Sequence, residues 1–171
     1  MNQPVPNANQ STAEILNDQE LLDVFRGVLE KWAFLSCSDM GPVVEGPAPL
    51  PLERAVRFSG PLNGSLVVRA PEAFGLYLWE NASGGTEAAQ AGVRTDAFNE
   101  FVNLFCGHLL TSLRRSVQGA FNPYLPQISS PEQWPPHQPQ FSMALLVEDM
   151  PVEVRLWIIV PSPQPPIYRG L

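Results

Sequence analysis

Lysine is nearly absent: Lys31 stands alone, and the ten basic residues in all are scattered against seventeen acidic ones, for a net charge of −7. No basic stripe exists to follow a phosphate backbone, so nucleic acid is not the expected partner. Cysteine is also scarce. Cys37 and Cys106 suit a reducing cytoplasm better than a disulfide scaffold, and no Cys/His cluster has metal-site spacing. Long apolar runs are missing too, which argues against a membrane helix. The start "MNQPVPNANQSTAEIL" has no basic stretch followed by an apolar one, so a secretory signal is not expected and the cytoplasm is.

What remains is a chain of 171 residues, 44% hydrophobic, enough for one domain with a real core. Residues 1–18 read as a flexible arm, 19–160 as the domain, and 161–171 as an extended Pro-rich tail. From Gln19, the residues Leu22, Phe25, Leu29, Trp32 and Ala33 recur at helical steps, and the pattern fades near "SCSDMGP". A proline-dense linker covers 41–52. "RAVRFSG" and "GSLVVRA" read as strands joined by the Gly, Pro and Asn-Gly chemistry of a hairpin. "PEAFGLYLWENA" opens on a proline at a helix start. After the flexible "SGGTEAAQAG", a long helix from about Asp96 to Val117 carries Phe98, Val102, Phe105, Leu109 and Leu113 on one stripe.

Residues 122–140 hold six prolines and cannot be regular throughout. "FSMALLVED" and "PVEVRLWIIV" then read as two strands around a tight "EDMP" turn. Hairpins segregated from helices imply an α+β domain, an antiparallel β-sheet packed by helices on one face.

The long helix contains "NEFVNLFCGHLL", in which Glu100, Asn103 and Gly107 break the apolar run. At about 100° per residue, Glu100 and Gly107 fall roughly 200° and 180° from Phe98, and Asn103 about 140°. All three point away from the stripe, with Glu100 and Asn103 neighbours at i, i+3. An exposed helix face carries such residues without any function, so spacing alone marks only a possible docking line. Gly107 costs the helix up to ~1 kcal/mol relative to alanine, which a close-approaching surface would explain.

The run Glu100-Phe-Val-Asn103-Leu-Phe-Cys-Gly107 resembles the E-x-x-N helix of the CheC/CheX family of chemotaxis phosphatases, most closely its single-site CheX type. "VRFSGPLNGSLVVRAPEAFGLYL", "GAFNPYLPQISSPEQW" and "FSMALLVEDMPVEVRLWII" resemble the family's flanking elements in order, over roughly residues 20–160. The resemblance implies a CheX-like fold and hydrolysis of the aspartyl phosphate of a CheY-like response regulator. It implies that Asn103 orients the attacking water and that Glu100 pairs with the regulator's active-site lysine. Gly107 would give the docking partner clearance. It implies no cofactor of the chain's own, Mg²⁺ being supplied by the regulator, and a homodimer joined along sheet edges. The strands in 141–160 are the expected edge, because "LWIIV" invites aggregation if unpaired.

CheC-type members carry a second E-x-x-N on the first helix, and the helix read from Gln19 has none. The first helix offers only Asp23-x-x-Arg26 and Glu30-x-x-Ala33, so one site per chain is expected. The alternative is a catalytically inactive module of the same fold that binds a receiver or dimerises as a signalling or flagellar scaffold. A stand-alone small-molecule enzyme has no supporting motif. His108 and His137 read as solvated or structural, Cys37 and Cys106 as inert thiols, and Trp32, Trp79, Trp134 and Trp157 as packing residues.

Overall fold

The computed structural model describes residues 15–41, 50–84, 92–125, 127–128 and 134–159. Most of the expected arm, the tail 161–171, most of the 41–52 linker and most of "SGGTEAAQAG" lie outside the described residues.

Helix α1 spans Asp18–Val28. The Asn17 side chain accepts from the Glu20 amide at 2.9 Å, and the Glu20 carboxylate accepts from the Asn17 amide at 3.0 Å. This reciprocal cap is worth about 1 kcal/mol and sets the start of the helix. The folded body reaches back further, into the span read as arm: Ile15 and Leu16 are buried, and the Ile15 carbonyl accepts from Ser116 Oγ. α1 runs into a wider π-turn, Leu29–Ala33, that stops at Phe34 in a left-handed conformation (φ 55°).

Strand β1 (Cys37–Gly41) follows, then the hairpin β2 (Leu52–Ser59) and β3 (Asn63–Ala70). Helices α2 (Glu72–Ser83) and α3 (Val93–Leu113) come next, then two short bridges, β4 (Asn122–Pro123) and β5 (Gln127–Ile128). The hairpin β6 (Phe141–Val147) and β7 (Met150–Ile159) closes the order. The seven strands form one antiparallel sheet in the order β1-β6-β7-β3-β2-β4, with β5 also on β2.

Two expectations are corrected. The expected edge strands 141–160 lie inside the sheet: β6 is bonded to β1 and β7, and β7 to β6 and β3. Within "LWIIV", Leu156 and Ile158 are buried on the helix side and Trp157 is buried under Trp134 on the other, so this stretch is apolar without being a free edge. The first helix does end before "SCSDMGP", but within that stretch, where no strand was expected, residues 37–41 form β1, held by pairing with β6 over Cys37↔Val147 to Gly41↔Ala144.

Side-chain parity sorts the faces. Val56, Phe58, Leu66, Val68, Leu145, Val147, Val154 and Leu156 face the helices and share their core. α3 brings Phe98, Phe101, Val102, Phe105, Leu109 and Leu113 onto it, all fully buried. Phe101 meets Phe25 and Phe74 edge-on, with ring centroids 5.4 and 5.6 Å apart. The helix ends at Leu113, earlier than expected, yet Val117 remains buried after the following turn.

The opposite face carries a charged row. Glu53, Arg69 and Glu153 sit in register across β2, β3 and β7, and Arg69 bridges the two carboxylates at 3.0 Å each. The described end of the proline-rich segment covers this face: Trp134 packs on Trp157 and beneath the Arg155 guanidinium, 4.7 Å from the ring. Trp157 Nε1 donates to the His137 carbonyl at 2.8 Å. Trp134 and His137 thus lie across the sheet from α3.

Candidate functional site

α3 is anchored by its apolar stripe, and that anchoring decides what the other side offers. Glu100 and Gly107 are exposed and Asn103 is half-buried between them. Phe101, Val102, Phe105 and Cys106, which are fully buried, fix the helix rotation that presents them. Among the described residues neither the Glu100 nor the Asn103 side chain has a hydrogen-bond or ion-pair partner. A carboxylate and a carboxamide therefore stand on successive turns with their polar capacity free for an incoming molecule.

At Gly107 a built Cβ would meet nothing within 4 Å. No neighbour among the described residues requires the glycine, and its carbonyl accepts from Thr111 Oγ1 at 2.9 Å. The bare stretch of helix is open to solvent one turn beyond Asn103.

Sequence reasoning did not single out what lies at the other end of the line. Asp96 precedes Glu100 by four residues, so Asp96, Glu100, Asn103 and Gly107 share one face over three turns, roughly 16 Å at 1.5 Å per residue. Asp96 and Glu100 border a cleft of about 390 Å³, whose walls include Trp32 from the π-turn and Trp79 from α2. Both indoles are half-buried and pack on the core as expected, but each also faces this cleft. The signal in the sequence was the i, i+4 acidic pair; the indoles converge only through the packing of α1, α2 and α3.

The remaining candidates carry no chemistry. His108 and His137 are exposed. Cys106 is fully buried, and burial pushes its thiol up to about 12, so it stays protonated and inert. Cys37 opens β1 rather than closing a helix; burial raises its thiol, partly offset by Arg26. No group of three or more acidic, His or Cys residues among the described residues is placed to hold a metal ion. No helix among them is long and apolar enough to cross a membrane.

No protein-family model and no curated protein matches the chain. Solved structures do. CheX, a chemotaxis protein of Desulfovibrio desulfuricans, superposes with a TM-score of 0.64 at 17% identity, over 81% of this chain and 95% of its own. CheX of Vibrio vulnificus gives 0.64 at 18%, over 88% and 99%. A chain from the CheX–CheY–BeF3–Mg²⁺ complex of Borrelia burgdorferi gives 0.59 at 14%, over 84% and 98%. The α+β architecture expected from the sequence is the architecture these proteins share.

Proposed function

We propose that this chain, which has the fold of CheX and CheC-like chemotaxis proteins, dephosphorylates the aspartyl phosphate of a CheY-like response regulator in the cytoplasm. The observation that carries the reading is the free pair on α3: Glu100 exposed and Asn103 beside it, both without partners among the described residues. Support comes also from the fold likeness to a CheX that was solved together with CheY, BeF3 and Mg²⁺.

The chemistry asks little of the chain. Aspartyl-phosphate hydrolysis depends on positioning and on charge stabilisation, and the regulator's own Mg²⁺ and phosphate pocket supply the latter. Asn103 then inserts its carboxamide beside the phosphoryl group. The amide accepts one hydrogen bond from the attacking water while donating another, which fixes the water in line without adding negative charge. Glu100 engages the regulator's active-site lysine, a charge-assisted contact that sets the depth and register of docking. Gly107 lets the partner approach the helix backbone. Single-site chemistry is supported by α1, whose own residues Asp18–Val28 contain no E-x-x-N; the Glu14-x-x-Asn17 of the sequence ends at Asn17, whose side chain is engaged in capping that helix. A homodimer remains part of the proposal, but with β6 and β7 interior its edge is β1.

The test is phosphate release from a phosphorylated CheY-like receiver of the same genome. The chain should accelerate loss of phosphate, and Asn103→Ala should abolish the acceleration while Glu100→Ala weakens binding. Binding without acceleration by the unaltered chain would identify the inactive module instead.

A further inference from the structure

The cleft beside Glu100 has a composition that the E-x-x-N pair does not explain. Its lining combines two indoles, Trp32 and Trp79, with two carboxylates, Asp96 and Glu100, and small residues including Ala82 and Ala97. The cationic neighbour Arg94 is turned to Glu72 instead, at 4.0 Å. Asp96 and Glu100 repel each other across one helical turn, which disfavours the face unless a cation comes between them. Indole faces bind the apolar stem of a long basic side chain and attract its charged head.

We propose that this cleft receives a lysine or arginine side chain of the docking receiver, a second basic group beside the lysine assigned to Glu100. Its stem lies between Trp32 and Trp79, and its charged head meets Asp96. Charge complementarity selects this occupant: an acidic side chain would face two carboxylates, and an apolar one would strip them of water without compensation. Asp96 is thereby a docking residue that touches neither phosphate nor water, and it extends the contact line one turn beyond Glu100. The identity of the partner rests on the function proposed above; the basic side chain rests on the cleft alone.

Two measurements separate these. In the first, the affinity of a beryllofluoride-loaded receiver is compared across variants. Asp96→Asn should weaken binding about two- to fivefold and Asp96→Lys about tenfold or more, with a shallower salt dependence. Asp149→Asn, an equal charge loss at the β6–β7 turn, should change nothing. An Asp96→Asn affinity equal to wild type, or an equal loss for Asp149→Asn, overturns the proposal. In the second, the full chain is titrated with Nα-acetyl-lysine methylamide while the indole N–H resonances are followed by NMR. The Trp32 and Trp79 signals should shift, less so in Asp96→Asn, and the norleucine analogue should leave them in place. Equal shifts from norleucine overturn the basic-side-chain assignment. If Asp96→Asn weakens docking but the unaltered chain does not accelerate hydrolysis, the phosphatase reading fails and this inference stands.

Discussion

Phe101 lies between Glu100 and Asn103 in sequence but on the opposite side of the helix, and it is fully buried. It meets Phe25 at 5.4 Å and Phe74 at 5.6 Å edge-on, stacks on Phe105 at 6.4 Å and reaches Trp32 at 6.4 Å. Phe101→Ala removes a buried ring from four aromatic neighbours. Core Phe→Ala changes cost about 3–5 kcal/mol, and the ring pairs, about 0.5–1.5 kcal/mol each beyond area, place this one near the upper end. Phe101→Leu keeps most of the apolar volume and loses mainly ring geometry, about 2 kcal/mol by the same pair values. With a urea slope of roughly 2 kcal/mol/M, the midpoint should fall by about 2 M for alanine and about 1 M for leucine. The exposed Arg115→Ala should stay within about 0.5 kcal/mol of wild type. A double-mutant cycle of Phe25→Leu with Phe101→Leu should return a coupling of about 1 kcal/mol, since the rings touch. Strict additivity, or a Phe101→Leu midpoint equal to wild type at unchanged slope, would refute the idea that this ring cluster sets the helix rotation.

Two further predictions concern buried ionisable groups. Arg54 is 7% exposed, has no carboxylate partner among the described residues, and donates from Nε to Asn99 Oδ1; burial lowers its pKa. Asn99→Ala should therefore cost about 2 kcal/mol, and Asn99→Asp, which supplies a counter-charge, should raise Tm instead. For Cys106 the folded thiol titrates near 12 against 9.0 for the free group. A raised folded value on an acid means that the stability is fully present below pH 9 and is lost as pH climbs toward 12. Between those limits it falls by about 1.4 kcal/mol per pH unit. Thermal melts at pH 9–11 should decline more steeply for wild type than for Cys106→Ala; parallel slopes would show that the thiol is not desolvated.

The amphipathic helices were legible because their partners are one-sided: the stripe from Phe98 to Leu113 is buried as its 3-4 spacing demands. The β6–β7 hairpin was legible through its alternation and through Glu148-Asp149, which take left-handed conformations at the turn. β1 was not. "CSDMG" has no apolar alternation because it is a largely exposed edge strand whose stability comes from backbone bonds to β6 rather than from side chains. The rank of β7 within the sheet was missed for a related reason. An apolar run on a two-sidedly covered strand looks the same as a sticky edge until the covering segment is known, and Trp134 comes from a stretch whose prolines carry no regular signal. Glu100, Asn103 and Gly107 were visible as interruptions of a stripe. The Trp32–Trp79 cleft was not, since it needs a π-turn, which no hydrophobic period announces, to meet the ends of two other helices.

β7 joins the N-terminal hairpin β2–β3 to β6 and β1, and of all the described elements it is the last to leave the ribosome. Until it arrives the sheet exists as two unconnected halves, and the apolar side of α3 has only part of the surface it packs against. Folding must therefore wait for contacts that span about ninety residues, such as Ser65 with Trp157, which predicts slow, non-local assembly. During that interval the nascent chain exposes the open margin of β3 and the aromatic face of α3 together, the condition under which partly made chains pair with one another. The single strand that unites the sheet is thus also the timer of the chain's most vulnerable moment.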